Sequence, residues 1–540
     1  MKKFVRVRSA VFLIVILLIS AAVSSCKEDD GAGYTFKMNI ENNPRNLDPQ
    51  MTEDRESVMI ITNMMEGLVK ELPGGAIVPA AAESFEMSED GLTYTFHLRQ
   101  DREWTSQADF SKPVTADDFV FAFRRIFDPA TNSPYRGDYM CILNASGVLN
   151  GSKDPELLGV RASDEYTVRF ILEYPYYDFL SLLTKTAAMP CCREFFELSK
   201  GRYGMAADAA ASNGAFYLKE WNFDPYWDNN YIIMRRNASY SENSRVYPYG
   251  LNFFITGDSS NDRADFSSVD INCFITGEAD ERLFSESVVY SENIKTAGLV
   301  FDLDSPYFKN KAVREALAKS LNRDAYSHIL PDNLTPAFGI IPSGITLQGK
   351  SYRDIVPDRT LSVYDAGSAE LWENALRSAG IESVDGAKIT VCEDFSGIDM
   401  LYDITDRWRS ELLFNCGVEI VSQNEYDSKI EAGEYVIALA ELDSEHNSAF
   451  EFMSAFTERE YFRKYSNPSL VADINSSMMS VSLTDGTERF SAAESAVIGD
   501  YVFIPLCYEK EYLVCDKKSA DLAYYPFTGT VWFGDAKYFS

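Results

Sequence analysis

The sequence predicts a mixed α/β protein built from more than one domain. Segments with the two-residue alternation of strands recur beside segments with the three-to-four-residue repeat of amphipathic helices. With 540 residues, the chain is too long for one simple hydrophobic core and should divide into several domains. It contains no internal repeat, low-complexity tract or long Pro/Gly/Ser linker. Domains without linkers are expected to share strands, and such chain crossings make natural hinges for closure around a ligand.

The clearest strand follows the turn Asp90-Gly91. Its apolar residues alternate with polar ones, as in a strand buried on one face; they are Leu92, Tyr94, Phe96 and Leu98. Thr115 then has the position of a helix N-cap, with Asp118 three residues later as its capping-box partner. The apolar face of this helix consists of Phe119, Val120, Phe123, Ile126 and Phe127.

Two further helices are predicted in the second half of the chain. The first has its apolar face at Val313, Ala316, Leu317 and Leu321. The second has its apolar face at Leu401, Ile404, Trp408 and Leu412. It ends near Gly417, after which Val418–Val421 is predicted to resume as a strand. Stripes of this kind form cores, so none is assigned a functional role.

The first 26 residues have the composition of a processing segment. A basic start precedes the apolar run Val11–Ile19, which is shorter than the ~20 residues of a membrane-spanning helix. The run leads to Val23-Ser24-Ser25-Cys26, which resembles the lipobox of bacterial lipoproteins. The resemblance implies a signal peptide at 1–25, lipidation of Cys26 and a lipidated tether at 26–33. The alternative is an ordinary secretory signal with a coincidental cysteine.

The composition argues against some partners. Its 46% hydrophobic and 13% aromatic residues indicate a well-packed globular protein. The net charge of −32 argues against nucleic acid, because phosphate binding needs clustered Lys and Arg. Most of the carboxylates are expected to keep the surface hydrated, and a cationic ligand is compatible with them.

Beyond Cys26 the chain has eight cysteines, none of which forms a CxxC pair. With only three histidines, a zinc cluster is not expected. Disulfides form readily outside the cytoplasm. Cys507 and Cys515 flank a short Tyr/Glu/Lys stretch, which is compatible with a disulfide across a hairpin; the alternative is a pair of buried free thiols.

No motif in the sequence points to catalysis. The chain lacks a G-x-S-x-G nucleophile elbow, an H-E-x-x-H pair, a P-loop and a dinucleotide fingerprint. The adjacent acids Asp117-Asp118 fit a helix N-terminus. A glycosidase would need two carboxylates that converge to about 5–9 Å, which sequence spacing does not establish. We therefore expect no enzyme activity, no cofactor and no metal.

Several fragments between Pro44 and Pro129 match a known family in their order and spacing. They are Asn46–Pro49, Met65–Val69, Ile77–Phe85, Asp90–Arg99, Pro113–Val120 and Arg124-Arg125. Together they resemble the extracellular solute-binding proteins of bacterial oligopeptide and dipeptide ABC transporters (family 5). The resemblance continues at Ser212–Trp221, Phe308–Asn310, Val313–Leu317 and Asn322-Arg323, and it fades beyond Val421.

The resemblance implies a two-lobed α/β fold like that of periplasmic binding proteins. The implied fold is the large three-domain variant of type II, with mixed sheets and hinge crossings. The implied domains are a discontinuous core of lobe 1 at 34–72, 210–298 and 506–540, an accessory domain of lobe 1 at 73–209, and lobe 2 at 299–505.

The implied function is that of a monomeric substrate-binding lipoprotein, held outside the cytoplasm on a bacterial membrane facing the periplasm or the cell surface. It would capture short peptides between its lobes and deliver them to the permease and ATPase of an ABC importer. Backbone hydrogen bonds would hold an extended peptide, while roomy pockets tolerate varied side chains. The alternatives are a nickel chelate, haem or oligosaccharide ligand, a surface receptor or adhesion lipoprotein without transport, and a secreted hydrolase.

The resemblance also implies one set of ligand contacts near the N-terminus. In the family's oligopeptide binders, the segment after the Asp-Pro pair supplies an edge strand. Asp48 and Glu66 keep the family's spacing, which places Glu53, Asp54 and Arg55 on that edge. The alternative is a solvated loop before a helix.

A second implied contact lies in the other lobe. Peptide binders of the family place a carboxylate in a Trp-x-x-Asp-Tyr element, where it pairs with the ligand's α-ammonium. The corresponding acid here is Asp443, with Ala440 in place of the tryptophan and Ser444 in place of the tyrosine. Losing both aromatics is expected to enlarge or reshape the pocket. The alternative for Asp443 is an exposed loop acid.

Overall fold

The computed structural model describes residues 34–107, 110–226, 229–240, 246–347, 350–358, 363–480 and 482–539. The signal peptide, the tether and Cys26 lie outside these residues, so those three expectations remain predictions. Among the residues described, none of the helices is both long enough and apolar enough to cross a bilayer.

One large mixed sheet runs through the molecule. Its strands lie side by side in the order Phe216–Asn222, Tyr231–Arg236, Gly250–Ile255, Thr35–Ile40, Cys273–Thr276, Phe503–Asp516, Ser287–Phe301, Ile437–Leu442, Lys388–Cys392 and Gly417–Val421. Leu334–Pro336 also pairs with Phe503–Asp516. The pairing of Thr35–Ile40 with Gly250–Ile255 is parallel, whereas Ser287–Phe301 and Phe503–Asp516 are antiparallel.

Smaller sheets flank this main sheet. One has the order Ala82–Met87, Thr93–Leu98, Thr167–Ile171 and Val160–Asp164, and another has the order Ala211–Ser212, Glu103–Ser106 and Ser111–Pro113. Two-stranded pairs join Val69–Glu71 to Ile77–Pro79, Thr346–Leu347 to Lys350–Ser351, Ser519–Ala520 to Lys537–Tyr538, and Ala523–Tyr525 to Thr530–Trp532.

Helices pack on both halves of the main sheet. The α-helices are Arg55–Met64, Ala116–Phe127, Ala145–Leu149, Phe179–Leu182, Arg193–Leu198, Asp262–Ser267, Glu281–Ser285, Lys311–Ser320, Arg323–Tyr326, Tyr352–Ile355, Ser368–Ala379, Ile398–Glu411, Gln423–Ala432, Ala449–Glu458, Pro468–Met478 and Leu483–Asp500. Short 3₁₀ turns lie at Pro134–Arg136, Pro155–Leu157, Thr186–Ala188, Ala207–Ala209, Ser327–Ile329 and Glu460–Phe462.

The buried side chains form separate cores, which define two lobes. The core of the first lobe contains residues from Phe36 to Cys273 and again from Leu513 to Ala536. The second lobe has two cores, both drawn from residues 297–507. Burial of apolar surface is the main force that holds each lobe together. The two-lobed α/β fold expected from the sequence is therefore confirmed.

Two long strands pass from one lobe into the other, and we call them the crossing strands. They are Ser287–Phe301 and Phe503–Asp516, which pair antiparallel along almost their full length. The pair Val288 and Cys515 lies at the first lobe, whereas Val300 and Phe503 lie in a core of the second lobe. Motion between the lobes must therefore bend or twist this two-stranded connection.

The local elements predicted from periodicity are confirmed. The alternating segment is the strand Thr93–Leu98, whose Tyr94, Phe96 and Leu98 are buried. Ala116–Phe127 is a helix, and the Thr115 N–H donates to the Asp118 carboxylate over 2.9 Å in its capping box. The helices Lys311–Ser320 and Ile398–Glu411 and the strand Gly417–Val421 also form where predicted.

The cysteines do not form the proposed hairpin disulfide. The eight cysteines of the described residues are free thiols. Cys507 and Cys515 lie on the same crossing strand, so the hairpin interpretation is wrong. Eight residues of extended strand separate their Cα atoms by roughly 27 Å. Both side chains are fully buried, as the alternative of buried free thiols expected.

Candidate functional site

A cavity of about 1160 Å³ lies between the two lobes. It is larger than the ~300–1000 Å³ of most sites for small molecules. The first lobe, the crossing strands and the second lobe all contribute to its walls, among them Arg55, Thr62, Lys70, Tyr290, Glu292, Lys295, Ser343, Thr346, Asp443, His446 and Glu511. A ligand in this position would contact both lobes at once.

The crossing strands bring carboxylates to the cavity. Glu292 and Glu511 lie directly opposite each other in the strand pairing. Glu511 accepts a hydrogen bond from Arg55 Nη2 over 2.9 Å and another from the Tyr524 hydroxyl over 2.5 Å. Burial raises the pKa of Glu292. The cavity therefore holds one carboxylate neutralised by Arg55 and a second whose charged form is disfavoured by desolvation.

Lys295 adds a positive charge to the same surface. Its Nζ lies 3.9 Å from Glu441 Oε2. Burial lowers the pKa of Lys295, but the carboxylates of Glu509 and Glu441 outweigh this effect and raise it. Burial and the neighbouring Glu509 raise the pKa of Glu441 to about 7. The charge of this region therefore changes close to neutral pH.

Aromatic side chains form another wall of the cavity. They come from the C-terminal hairpin Ala523–Tyr525 and Thr530–Trp532 and its turn, and they are Tyr524, Tyr525, Phe527 and Trp532. Lys70 Nζ lies 4.5 Å from the centroid of the Trp532 ring, within the range of a cation–π contact. This wall was not predicted from the sequence, although the aromatic run at Tyr524–Phe527 is a visible signal.

The predicted residues Glu53, Asp54 and Arg55 form a helix start rather than a strand. Asp54 is the N-cap of the helix Arg55–Met64, and its carboxylate accepts from the Ser57 N–H over 2.9 Å. Glu53 and Arg55 line the cavity, whereas Asp54 is not part of its wall. Arg55 also donates to the Gly529 carbonyl over 3.1 Å. The structure thus brings two of the three residues to the cavity, and their contact with a ligand remains a prediction.

The predicted anchor Asp443 also lines the cavity. Its side chain is 52% exposed and forms an ion pair with Arg459, whose Nη2 also donates to the Asp443 carbonyl over 3.2 Å. Ala440 is fully buried, and the Ser444 hydroxyl donates to Glu451 over 2.5 Å. A ligand ammonium at Asp443 would therefore share the carboxylate with Arg459. The anchor role remains a prediction.

Two residues of the family-like block are bound in buried ion pairs. Asp48 accepts from Arg125 Nη1 over 2.9 Å. Glu66 accepts from Arg102 Nε over 2.8 Å and from the Tyr240 hydroxyl over 2.5 Å. These pairs tie the segments on either side of the helix Arg55–Met64 to Arg102 and Arg125 of the first lobe, which helps to hold the helix beside the cavity.

Within the described residues there is no group of three or more His, Cys, Asp or Glu side chains placed to hold a metal ion.

Comparison with known proteins assigns the family. The sequence profile described as "Bacterial extracellular solute-binding proteins, family 5 Middle" matches residues 76–461. The chain belongs to this family. Family 5 proteins are solute-binding components of transport systems rather than enzymes, so the expectation of no catalytic activity is confirmed through the family.

Individual relatives agree over most of the chain. The periplasmic oligopeptide-binding protein OppA of Haemophilus influenzae is 25% identical over 514 residues, which cover 92% of each chain. The probable deoxycholate-binding periplasmic protein YgiS of Escherichia coli is 24% identical and covers 88% of each chain. The crystal structure of Haemophilus influenzae OppA in complex with RPPGFSPFR has a TM-score of 0.69 at 24% identity, covering 94% of this chain and 100% of that one.

Proposed function

We propose that this family 5 protein captures short peptides in the cavity between its lobes and delivers them to the permease and ATPase of an ABC importer. The observation that carries the proposal is the position of the cavity, between two lobes that are joined by the crossing strands. Binding and release require only a change of conformation, since a ligand that contacts both lobes stabilises the closed form more than the open one.

The chemistry of the cavity suits a peptide. Carboxylates, Lys295 and the polar residues Ser343 and Thr346 offer partners for charged termini and backbone groups. The aromatic wall offers apolar surface for side chains. The relative from Haemophilus influenzae was crystallised with a nine-residue peptide, which supports the same class of ligand here.

The proposed place of action is the outside of a bacterial membrane. The lipobox-like Val23–Cys26 favours a lipid anchor at Cys26. We infer that the protein acts as a monomer on this anchor, facing the periplasm or the cell surface. Mass spectrometry of the mature N-terminus tests the anchor: a diacylglyceryl-modified Cys26 supports it, and an unmodified N-terminus contradicts it.

Native mass spectrometry of the protein purified without denaturation tests the ligand class. We expect masses that exceed that of the polypeptide by those of short peptides, and release of these peptides on denaturation. A sugar, bile acid or metal complex released in their place would contradict the peptide assignment.

Asp443 can be tested separately by the substitution Asp443→Asn. If the carboxylate anchors the α-ammonium, we expect peptide affinity measured by calorimetry to fall by about tenfold or more, because a charge-assisted contact is lost. Asp427→Asn is the matched control, since Asp427 is an exposed acid of the helix Gln423–Ala432 and lies outside the cavity wall. Equal affinities for the two variants would show that Asp443 does not anchor the ligand.

A second candidate function keeps the fold and changes the ligand to an amphipathic acid. YgiS, which is named as a probable deoxycholate-binding protein, is similar over 88% of this chain. The aromatic wall at Tyr524, Tyr525, Phe527 and Trp532 would accept an apolar ring system. The native mass spectrum distinguishes this candidate from the peptide.

A further inference from the structure

The two lobes also contact each other directly, through charged side chains at the edge of the cavity. We propose that Asp178 and Lys185 of the first lobe and His446 and Glu451 of the second form an interlobe clasp that favours closure even without ligand. The clasp goes beyond peptide binding, because it concerns the equilibrium between open and closed forms. The binding site for the ligand itself would lie next to it, since Lys185 and His446 line the cavity.

The charges in the clasp alternate. His446 Nδ1 lies 2.5 Å from Glu451 Oε1 within the second lobe, and His446 Nε2 lies 3.7 Å from Asp178 Oδ2 across the gap. Lys185 Nζ lies 3.7 Å from Glu451 Oε1 across the same gap. Each cation therefore faces a carboxylate of the opposite lobe, and separation of the lobes would break both of these contacts.

Each lobe holds its part of the clasp in position. In the second lobe, Glu451 accepts from the Ser444 hydroxyl over 2.5 Å and from the Glu445 N–H over 2.7 Å. In the first lobe, Lys185 donates to Asp138 over 2.9 Å. Because these partners belong to the same lobe, the clasp residues are ordered before the lobes meet. Preorganised charges gain more from an ion pair than mobile ones do.

Further hydrogen bonds join the lobes beside the clasp. Asn447 Nδ2 donates to Glu71 Oε1 over 2.7 Å. The Tyr177 N–H donates to the Met478 carbonyl over 2.6 Å. The His446 side chain is only 9% exposed, so the clasp is shielded from water and from salt. Shielding makes its ion pairs stronger than those of an open surface.

His446 and Glu451 carry opposite charges in the clasp. Burial and the nearby Lys185 lower the pKa of His446, but Asp178 and Glu451 outweigh them and raise it to about 9. Burial raises the pKa of Glu451, whereas His446 and Lys185 outweigh that effect and lower it to about 2. Between these values both groups are charged, so the ion pairs are complete at neutral pH.

Other titratable groups lie near members of the clasp. They are Glu71, Asp138, Glu445, Tyr135 and Tyr176. Burial raises the pKa values of Glu71 and Glu445 and of both tyrosines. The tyrosines therefore stay neutral through the range in which His446 loses its proton.

Because Glu451 belongs to the same lobe as His446, its effect on the pKa of His446 persists when the lobes separate. Across the gap, Asp178 raises this pKa, whereas Lys185 and burial lower it. The effect of closure on the protonation of His446 therefore has no single sign, and substitution of the charged groups tests the clasp more directly than a change of pH.

Small-angle X-ray scattering of the ligand-free protein tests the clasp, after mass spectrometry has verified that no ligand is bound. At neutral pH, His446→Gln should have a larger radius of gyration than the unchanged protein, because its contact with Asp178 is lost. Asp178→Asn, which leaves the second lobe's own hydrogen bonds intact, should also have a larger radius.

The control is His328→Gln, because His328 is exposed and lies outside both the clasp and the cavity wall. Its radius of gyration should equal that of the unchanged protein. A radius that neither His446→Gln nor Asp178→Asn changes would overturn the clasp. Scattering requires no ligand, so this result is independent of whether the cavity binds peptides.

Discussion

Arg124 and Arg125 are neighbours on the same helix, yet their surroundings differ completely. Arg125 is buried and shares the Asp48 carboxylate and the Gln50 side chain. Arg124 forms a bidentate pair with Glu156, whose side chain is 72% exposed. Only Arg125 faces the first lobe's core, so its ion pair contributes to the fold, whereas the pair of Arg124 lies at the surface.

Substitution of these two arginines should therefore give very different results. Arg125→Met leaves the carboxylate of Asp48 buried without its charge partner, which should lower the free energy of unfolding by ~3–5 kcal/mol. Arg124→Met is the matched control and should lower it by about 0–1 kcal/mol, as for an exposed pair. Urea unfolding followed by circular dichroism measures both. Similar losses for the two variants would show that Asp48 does not depend on Arg125.

At the scale of elements, the helix Arg55–Met64 connects the first lobe's core to the cavity. Its N-cap Asp54 satisfies the backbone N–H of Ser57 and also accepts from the Thr52 hydroxyl over 2.8 Å. Its first residue, Arg55, reaches Glu511 on a crossing strand. The cap therefore fixes the start of a helix whose first side chain neutralises a carboxylate in the cavity.

Two substitutions of Asp54 distinguish its role as a helix cap from a role in ligand binding. Asp54→Ala should lower the free energy of unfolding by about 1 kcal/mol, because an N-cap acceptor is lost. Asp54→Asn should restore most of this stability, since asparagine caps helices about as well as aspartate. Peptide affinity of Asp54→Asn, measured by calorimetry, should match that of the unchanged protein. A tenfold loss in that variant would assign Asp54 a direct contact with the ligand.

At the scale of the whole molecule, the sequence was sufficient for the two lobes but only partly for the site. Regular alternation and helical spacing predicted the strand Thr93–Leu98 and the helix Ala116–Phe127, because one face of each is buried. The family's spacing marked Asp48 and Glu66. It did not reveal their roles, since the partners Arg125 and Arg102 are 77 and 36 residues away in the chain.

The cavity was harder to predict for a physical reason. Its walls come from distant stretches that the fold brings together, so a local pattern such as the aromatic run Tyr524–Phe527 does not show which stretches meet. The clasp illustrates this, because Asp178 and His446 meet only when both lobes are complete. By contrast, Asp54 before an apolar periodic segment is a typical helix N-cap, and that local signal was available in the sequence.

The order of strands in the main sheet has a consequence for biosynthesis. The crossing strand Phe503–Asp516 lies between Cys273–Thr276 and Ser287–Phe301, and the aromatic wall follows it in the chain. Because a chain leaves the ribosome from its N-terminus, the second lobe is almost completely made before the first lobe receives the strand that pairs with Cys273–Thr276. A nascent chain that ends before Phe503 has no complete first lobe and no aromatic wall. The wall of the cavity is thus completed only near the end of synthesis.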